Sequence, residues 1–235
     1  MHEMSYITLG QTGLRVSVAG LGCGGPSRLG LSAGGTEAQA QRVVRRAIEL
    51  GVTFIDTAEG YGTEEAVGRA IHDVGREHVV ISTKRPVARR GQRYPAADLR
   101  HGLEGSLRRL GTEYVDVYHL HGVTPDEYDH ALAEHVPELH KLRDAGKIRA
   151  IGVTEHFGSD SGHAMLARAT ADGWPDVVMV GFNLLNPSAR RTVLPQTRER
   201  GIGTLTMFAV RRALSRPDRL RETLRQLADE GAIPP

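Results

Sequence analysis

Cysteine is all but missing from this 235-residue chain. Cys23 stands alone, which excludes an internal disulfide framework and fits a reducing compartment, so a cytoplasmic protein is expected. Lysine is nearly as scarce: Lys84, Lys141 and Lys147 are the only three, and arginine supplies the remaining positive charge. Neither sign of charge dominates. Thirty basic residues against 28 acidic leave a formal charge of +2, which gives no electrostatic case for nucleic acid. No apolar run approaches the roughly 20 residues that span a bilayer. The N-terminal MHEMSYITLG also lacks the basic and then apolar segments of a secretory signal. No linker or composition break divides the sequence, so residues 1–235 are expected to form one domain.

What is present is an ordinary globular mixture, 40% hydrophobic and 25% charged, which excludes a disordered chain. The segment 6–17 reads as a small hairpin around a Gly-containing turn. Short apolar runs follow at 18–22, 53–57, 79–83, 115–120, 148–154, 177–182 and 203–208, rich in β-branched residues as buried parallel strands are. Between them, 37–50, 64–74, 98–110, 125–145, 161–171, 189–200 and 218–230 carry apolar residues at helical spacing. An interruption is expected near Pro137. Seven strand-then-helix units predict an α/β protein, a (β/α)₈ TIM-type barrel with an N-terminal β-hairpin. An eighth βα unit is not legible, so the barrel is expected to be incomplete at its C-terminal side, a truncated gene product or a fragment of a longer protein. Open strand edges would then invite self-association.

Active sites of such barrels lie at the C-terminal ends of the strands. Those positions hold Asp56, Lys84, His119, His121, Thr154, Glu155 and Phe208, with Glu59 and Tyr61 in the loop after the second run. A phenol, with a reference pKa of about 10, is a poor acid at neutral pH. A nearby ammonium favours the phenolate, a carboxylate holds the ammonium, and an imidazole orients a substrate oxygen. Such a set suits proton delivery to a carbonyl oxygen while a hydride reaches its carbon. The hydride needs a cofactor.

FIDTAEGYGTEEAVGRAI (54–71), VVISTKRP (79–86), SLRRLGTEYVDVYHLHG (106–122), KLRDAGKIRAIGVTEH (141–156) and VVMVGFNLLNP (177–187) together resemble the aldo-keto reductase family. The resemblance implies NADP(H)-dependent reduction of an aldehyde or ketone to an alcohol, with a small-molecule carbonyl substrate. It places Asp56, Tyr61, Lys84 and His121 at the catalytic tetrad, with Tyr61 as general acid. Cofactor contacts are expected at Gly22, Thr154, Glu155, Met179, Phe208, Arg211 and Arg212.

Departures from the family pattern accompany the match. Thr154-Glu155 replaces Ser-Asn, Met179 replaces Gln, Phe208 replaces a stacking Tyr, and Arg211 and Arg212 stand where a Ser-Pro-Leu loop is usual. They keep a second reading open, a catalytically impaired barrel serving as a nucleotide-sensing or interaction subunit. The His119-x-His121 pair, with Asp56, Glu59, Glu155 and His156, raises a third, a metal-dependent barrel hydrolase, though no metal ligand is assigned. GLGCGG (20–25) formally matches a dinucleotide fingerprint. The PSRLGLSAGG that follows cannot be the first turns of a helix, so a rim over the site is expected. His119 and Cys23 are expected to pack in the interior.

Overall fold

The computed structural model describes residues 3–89, 91–209 and 216–233. An antiparallel hairpin, β1 (Tyr6–Thr8) and β2 (Arg15–Ser17), precedes the main sheet. That sheet comprises β3 (Leu21–Gly22), β4 (Phe54–Asp56), β5 (Val80–Arg85), β8 (Val115–Val123), β9 (Ile148–Glu155), β10 (Val177–Gly181) and β11 (Gly203–Met207), in that spatial order. All its neighbouring strands are parallel. A second small hairpin, β6 (Ala88–Arg89) with β7 (Gln92–Arg93), follows β5.

The helices between the strands are α1 (Glu37–Glu49), α2 (Glu64–His72), α3 (Ala96–Leu110), α4 (Tyr128–His130), α5 (Val136–Asp144), α6 (Ala164–Asp172), α7 (Ala189–Thr192), α8 (Leu194–Arg200) and α9 (Pro217–Asp229). A π-turn, Ala131–His135, joins α4 to α5. Pro137 lies just beyond it and has no N–H to continue the ladder, so the helix absorbs the defect in one widened turn. Helix α1 starts at a reciprocal Thr36–Gln39 capping box.

Each strand sorts its side chains by parity. Val80, Val117, Ala150 and Val177 point inward and pack with Leu9, Leu14 and Val16 of the first hairpin, which stoppers the barrel bottom. Ile81, Tyr118, Ile151 and Val178 point outward into the larger core against Leu99, Leu103, Leu139 and Leu166 of the helices. The hairpin turn is held to the far side of the sheet, where Gln11 N–H donates to the Gly201 carbonyl at 2.9 Å. Gly10 lies so close to β11 that a Cβ there would meet Gly203 N at 2.3 Å. One cavity takes lining from β3 and β4 on one side and β11 on the other, so the sheet curls until its two edges face each other. Among the described residues no eighth strand joins this sheet, and no helix is long and apolar enough to cross a membrane.

Candidate active site

Inward parity brings Asp56, Ser82, Lys84 and His121 together at the C-terminal ends of β4, β5 and β8. Lys84 is buried, and its Nζ donates to Asp56 Oδ2 at 2.7 Å and to the Thr57 carbonyl at 2.7 Å. Ser82 Oγ donates to the other carboxylate oxygen, Asp56 Oδ1, at 2.7 Å. Asp56 thus has both oxygens engaged and holds the ammonium in one place.

Tyr61 sits in a single 3₁₀ turn, Glu59–Tyr61, between β4 and α2. Its Oη lies 3.4 Å from His121 Nε2, with the rings edge to face at 5.6 Å. Lys84 Nζ lies 5.0 Å from the centre of its ring. Gly24 supplies the room, since a Cβ there would come within 2.4 Å of the Tyr61 ring. The GLGCGG segment is therefore a rim packed on Tyr61, with Gly22 facing the cavity.

Burial pushes the Tyr61 phenol above its ordinary range, and the Lys84 ammonium pulls it partway back. Composition alone suggests the ammonium would dominate; in the folded protein desolvation wins. Burial, with the charge of Lys84, lowers His121 to about 3, so this imidazole is neutral at physiological pH. His119 is fully buried beside Gly152 and is held well below the usual histidine range by burial. Burial, reinforced by Asp56, raises the Cys23 thiol far above its ordinary value, which leaves it unreactive. Both residues pack as expected. Among the described residues, no three His, Cys, Asp or Glu side chains converge to hold a metal.

The cavity beside this cluster measures about 660 Å³ and is lined by Gly22, Asp56, Tyr61, Met179 and Phe208 among others. Phe208, at φ +63°, is half-exposed and packs at 5.5 Å on Phe157. A somewhat larger cleft of about 750 Å³ lies among α1, α2 and α3. Three of its arginines are already paired, Arg45 with Asp73, Arg69 with Glu37 and Arg109 with Glu64, and no tetrad member reaches it.

Two expected cofactor contacts do not reach the cavity. Thr154 faces inward but is buried, and its Oγ1 accepts the Gly122 N–H at 2.7 Å. Glu155 has the opposite parity and turns to the helix side, where its side chain has no exposure. There it accepts the Gly181 N–H at 2.7 Å and pairs with His163 Nδ1 at 2.8 Å. His163 Nε2 lies 2.8 Å from Ser188 Oγ, so the three residues tie β9 to the starts of α6 and α7. Glu155 is thus an internal strut. Arg211 and Arg212 lie outside the described residues.

Other contributors were not foreseen. Ser82 was readable, since it shares parity with Lys84. Phe157 had only an indirect signal in Gly181, where a Cβ would fall 2.2 Å from its ring. His163, at φ +66°, had none.

Comparison with known proteins identifies the family. The model of the aldo/keto reductase family matches residues 21–224. L-galactose dehydrogenase of Arabidopsis thaliana is 32% identical over 213 residues, 88% of this chain and 65% of that protein. Aldo-keto reductase YhdN of Bacillus subtilis (strain 168) is 33% identical over 220 residues, 90% of this chain and 63% of that one. Among solved structures, the holo form of aldo-keto reductase AKR11C1 from Bacillus halodurans superposes with a TM-score of 0.72 at 25% identity, covering 87% of this chain and 66% of that one. The thermostable aldo-keto reductase Tm1743, in complex with the inhibitor epalrestat, gives 0.74 at 28% identity, with coverages of 97% and 81%. The chain spans less than two thirds of the length of these curated relatives.

Proposed function

Because the chain belongs to the aldo/keto reductase family, we propose that it reduces the carbonyl of an aldehyde or ketone to an alcohol, with NADPH as hydride donor. The observation that carries this reading is the Asp56–Lys84–Tyr61–His121 cluster on the wall of the cavity.

The substrate oxygen binds between Tyr61 Oη and His121 Nε2. Burial keeps the proton on Tyr61 until that oxygen gains negative charge, and the proton then moves from Oη to it. The resulting phenolate faces the Lys84 ammonium, which Asp56 holds in place. His121 is neutral, so it orients the oxygen without a second positive charge competing for it.

The cavity fits the nicotinamide end of the cofactor. A Cβ at Gly22 would meet only open space, Met179 offers an apolar wall, and the half-exposed ring of Phe208 offers a stacking face. Bound NADPH supplies the hydride that no side chain can. The preference for NADP(H) over NAD(H) follows from the family resemblance.

The test is fluorescence titration of the chain with NADPH and with NADH, followed by consumption of NADPH with p-nitrobenzaldehyde as probe substrate. Saturable NADPH binding with turnover is expected. Binding without turnover would replace the reductase reading with that of a nucleotide-sensing subunit. No binding by folded protein would sink both.

A further inference from the structure

We propose that Glu59 and Arg85 form a positioning pair that holds Tyr61 at the reacting position; the reactive role of Tyr61 rests on the reading above. The argument begins in the loop sequence. Tyr61 lies between Gly60 and Gly62, the latter at φ +68°, and glycine on both sides leaves its backbone little intrinsic restraint. On its inner side Tyr61 meets Gly24, Lys84 and His121, all residues of the site itself. Something outside the site has to fix the turn.

The base and the exit of the loop are pinned by polar contacts. Thr57 and Thr63 hydroxyls meet at 2.8 Å across the base. Beyond it Glu64, buried at the start of α2, accepts from Thr83 Oγ1 at 2.6 Å and from Arg109 Nε at 2.7 Å. The crest is held by Arg85, whose Nη1 donates to Glu59 Oε2. Glu59 opens the 3₁₀ turn that Tyr61 closes, and Tyr61 N–H donates to the Ala58 carbonyl at 3.0 Å.

Strand parity explains why Arg85 can do this. Ser82 and Lys84 point into the barrel, so Thr83 and Arg85 point to the helices, Thr83 toward Glu64 of α2 and Arg85 toward Glu59 of the turn. Arg85 lies flat on α3 because residue 102 is glycine; a Cβ there would meet Arg85 Cδ at 2.3 Å and Nη1 at 2.6 Å. The Tyr94 ring covers the guanidinium at 5.6 Å. The pair is largely shielded, with Arg85 17% and Glu59 30% exposed, so solvent screens it less than a surface ion pair.

The experiment compares the parent chain with Arg85→Met, Glu59→Gln and the double variant. Hydrogen–deuterium exchange over residues 57–63 is measured alongside NADPH-dependent reduction of p-nitrobenzaldehyde. Each single change is expected to raise exchange at 57–63 while 148–181 stays protected, and to lower kcat by ~10- to 100-fold with the KM for NADPH unchanged. The double variant should be no worse than the worse single one, because the two residues act as one unit. Unchanged exchange at 57–63, loosening spread over the whole barrel, or a full kcat with a looser loop would each overturn the pair's positioning role. A parent chain that does not turn over the aldehyde would overturn the reductase reading instead, and the exchange data alone would then decide the pair.

Discussion

At the scale of single residues, two opposing influences meet on Tyr61: burial, which holds its proton, and Lys84, which favours its loss. Lys84→Met removes the second influence, so the phenol should move further up. Ultraviolet difference titration, with Tyr61→Phe as the blank, measures the shift. Tyr61→Phe should lose about 10²- to 10⁴-fold in kcat while NADPH binding, read by fluorescence, is kept. Glu155 shows where motif reading and residue physics part. The family pattern sets it at a cofactor position, whereas parity with Val153 puts it among the helices. Met179 and Phe208 both line the cavity. The partnership of Glu155 with His163 had no sequence signal, because it joins a strand end to a residue held at φ +66° outside the helical pattern.

At the scale of elements, apolar runs and helical spacing located every strand and helix of the main sheet to within a few residues. They missed the polar β6–β7 hairpin, whose sequence has neither period. They also ended the strand before His121 too soon: β8 continues to Val123, since pairing with β9 rather than hydropathy sets its length. Close packing of α2 on the end of α3 gives a test. A Cβ at Gly68 would lie 2.5 Å from the Leu110 carbonyl oxygen, a backbone atom with little freedom to retreat. Gly68→Ala gains about 1 kcal/mol in helix propensity but overpacks a rigid contact, which typically costs about 1–3 kcal/mol. Net destabilisation is expected, seen as a lower urea midpoint with an unchanged slope.

At the scale of the whole molecule, burial lowers His119, His121 and His135 below the ordinary histidine range, helped at His119 and His121 by Lys84 and at His135 by His130. The unfolded chain therefore takes up protons, below a pH of about 6.5, that the folded chain refuses. Stability should be complete above that pH and fall as pH drops toward 3, by up to about 1.4 kcal/mol per unit for each group. Urea unfolding between pH 7 and 4 measures the slope. His119→Gln should flatten it, and an unaltered slope in that variant would remove His119 from the account.

The stopper formed by β1 and β2 has a kinetic consequence. It precedes every strand of the main sheet, yet its turn is closed by Gly201 and Gly203, which flank the start of the last of them. Closure of the long loop between residues 11 and 201 must precede that contact, and such closures are slow. The contact between floor and β11 is therefore expected to form late, after neighbouring strands have paired. Until β11 arrives with Leu205, the apolar side chains of Leu9, Leu14 and Val16 have only part of their seat, and the hairpin waits half-covered for a strand made long after it.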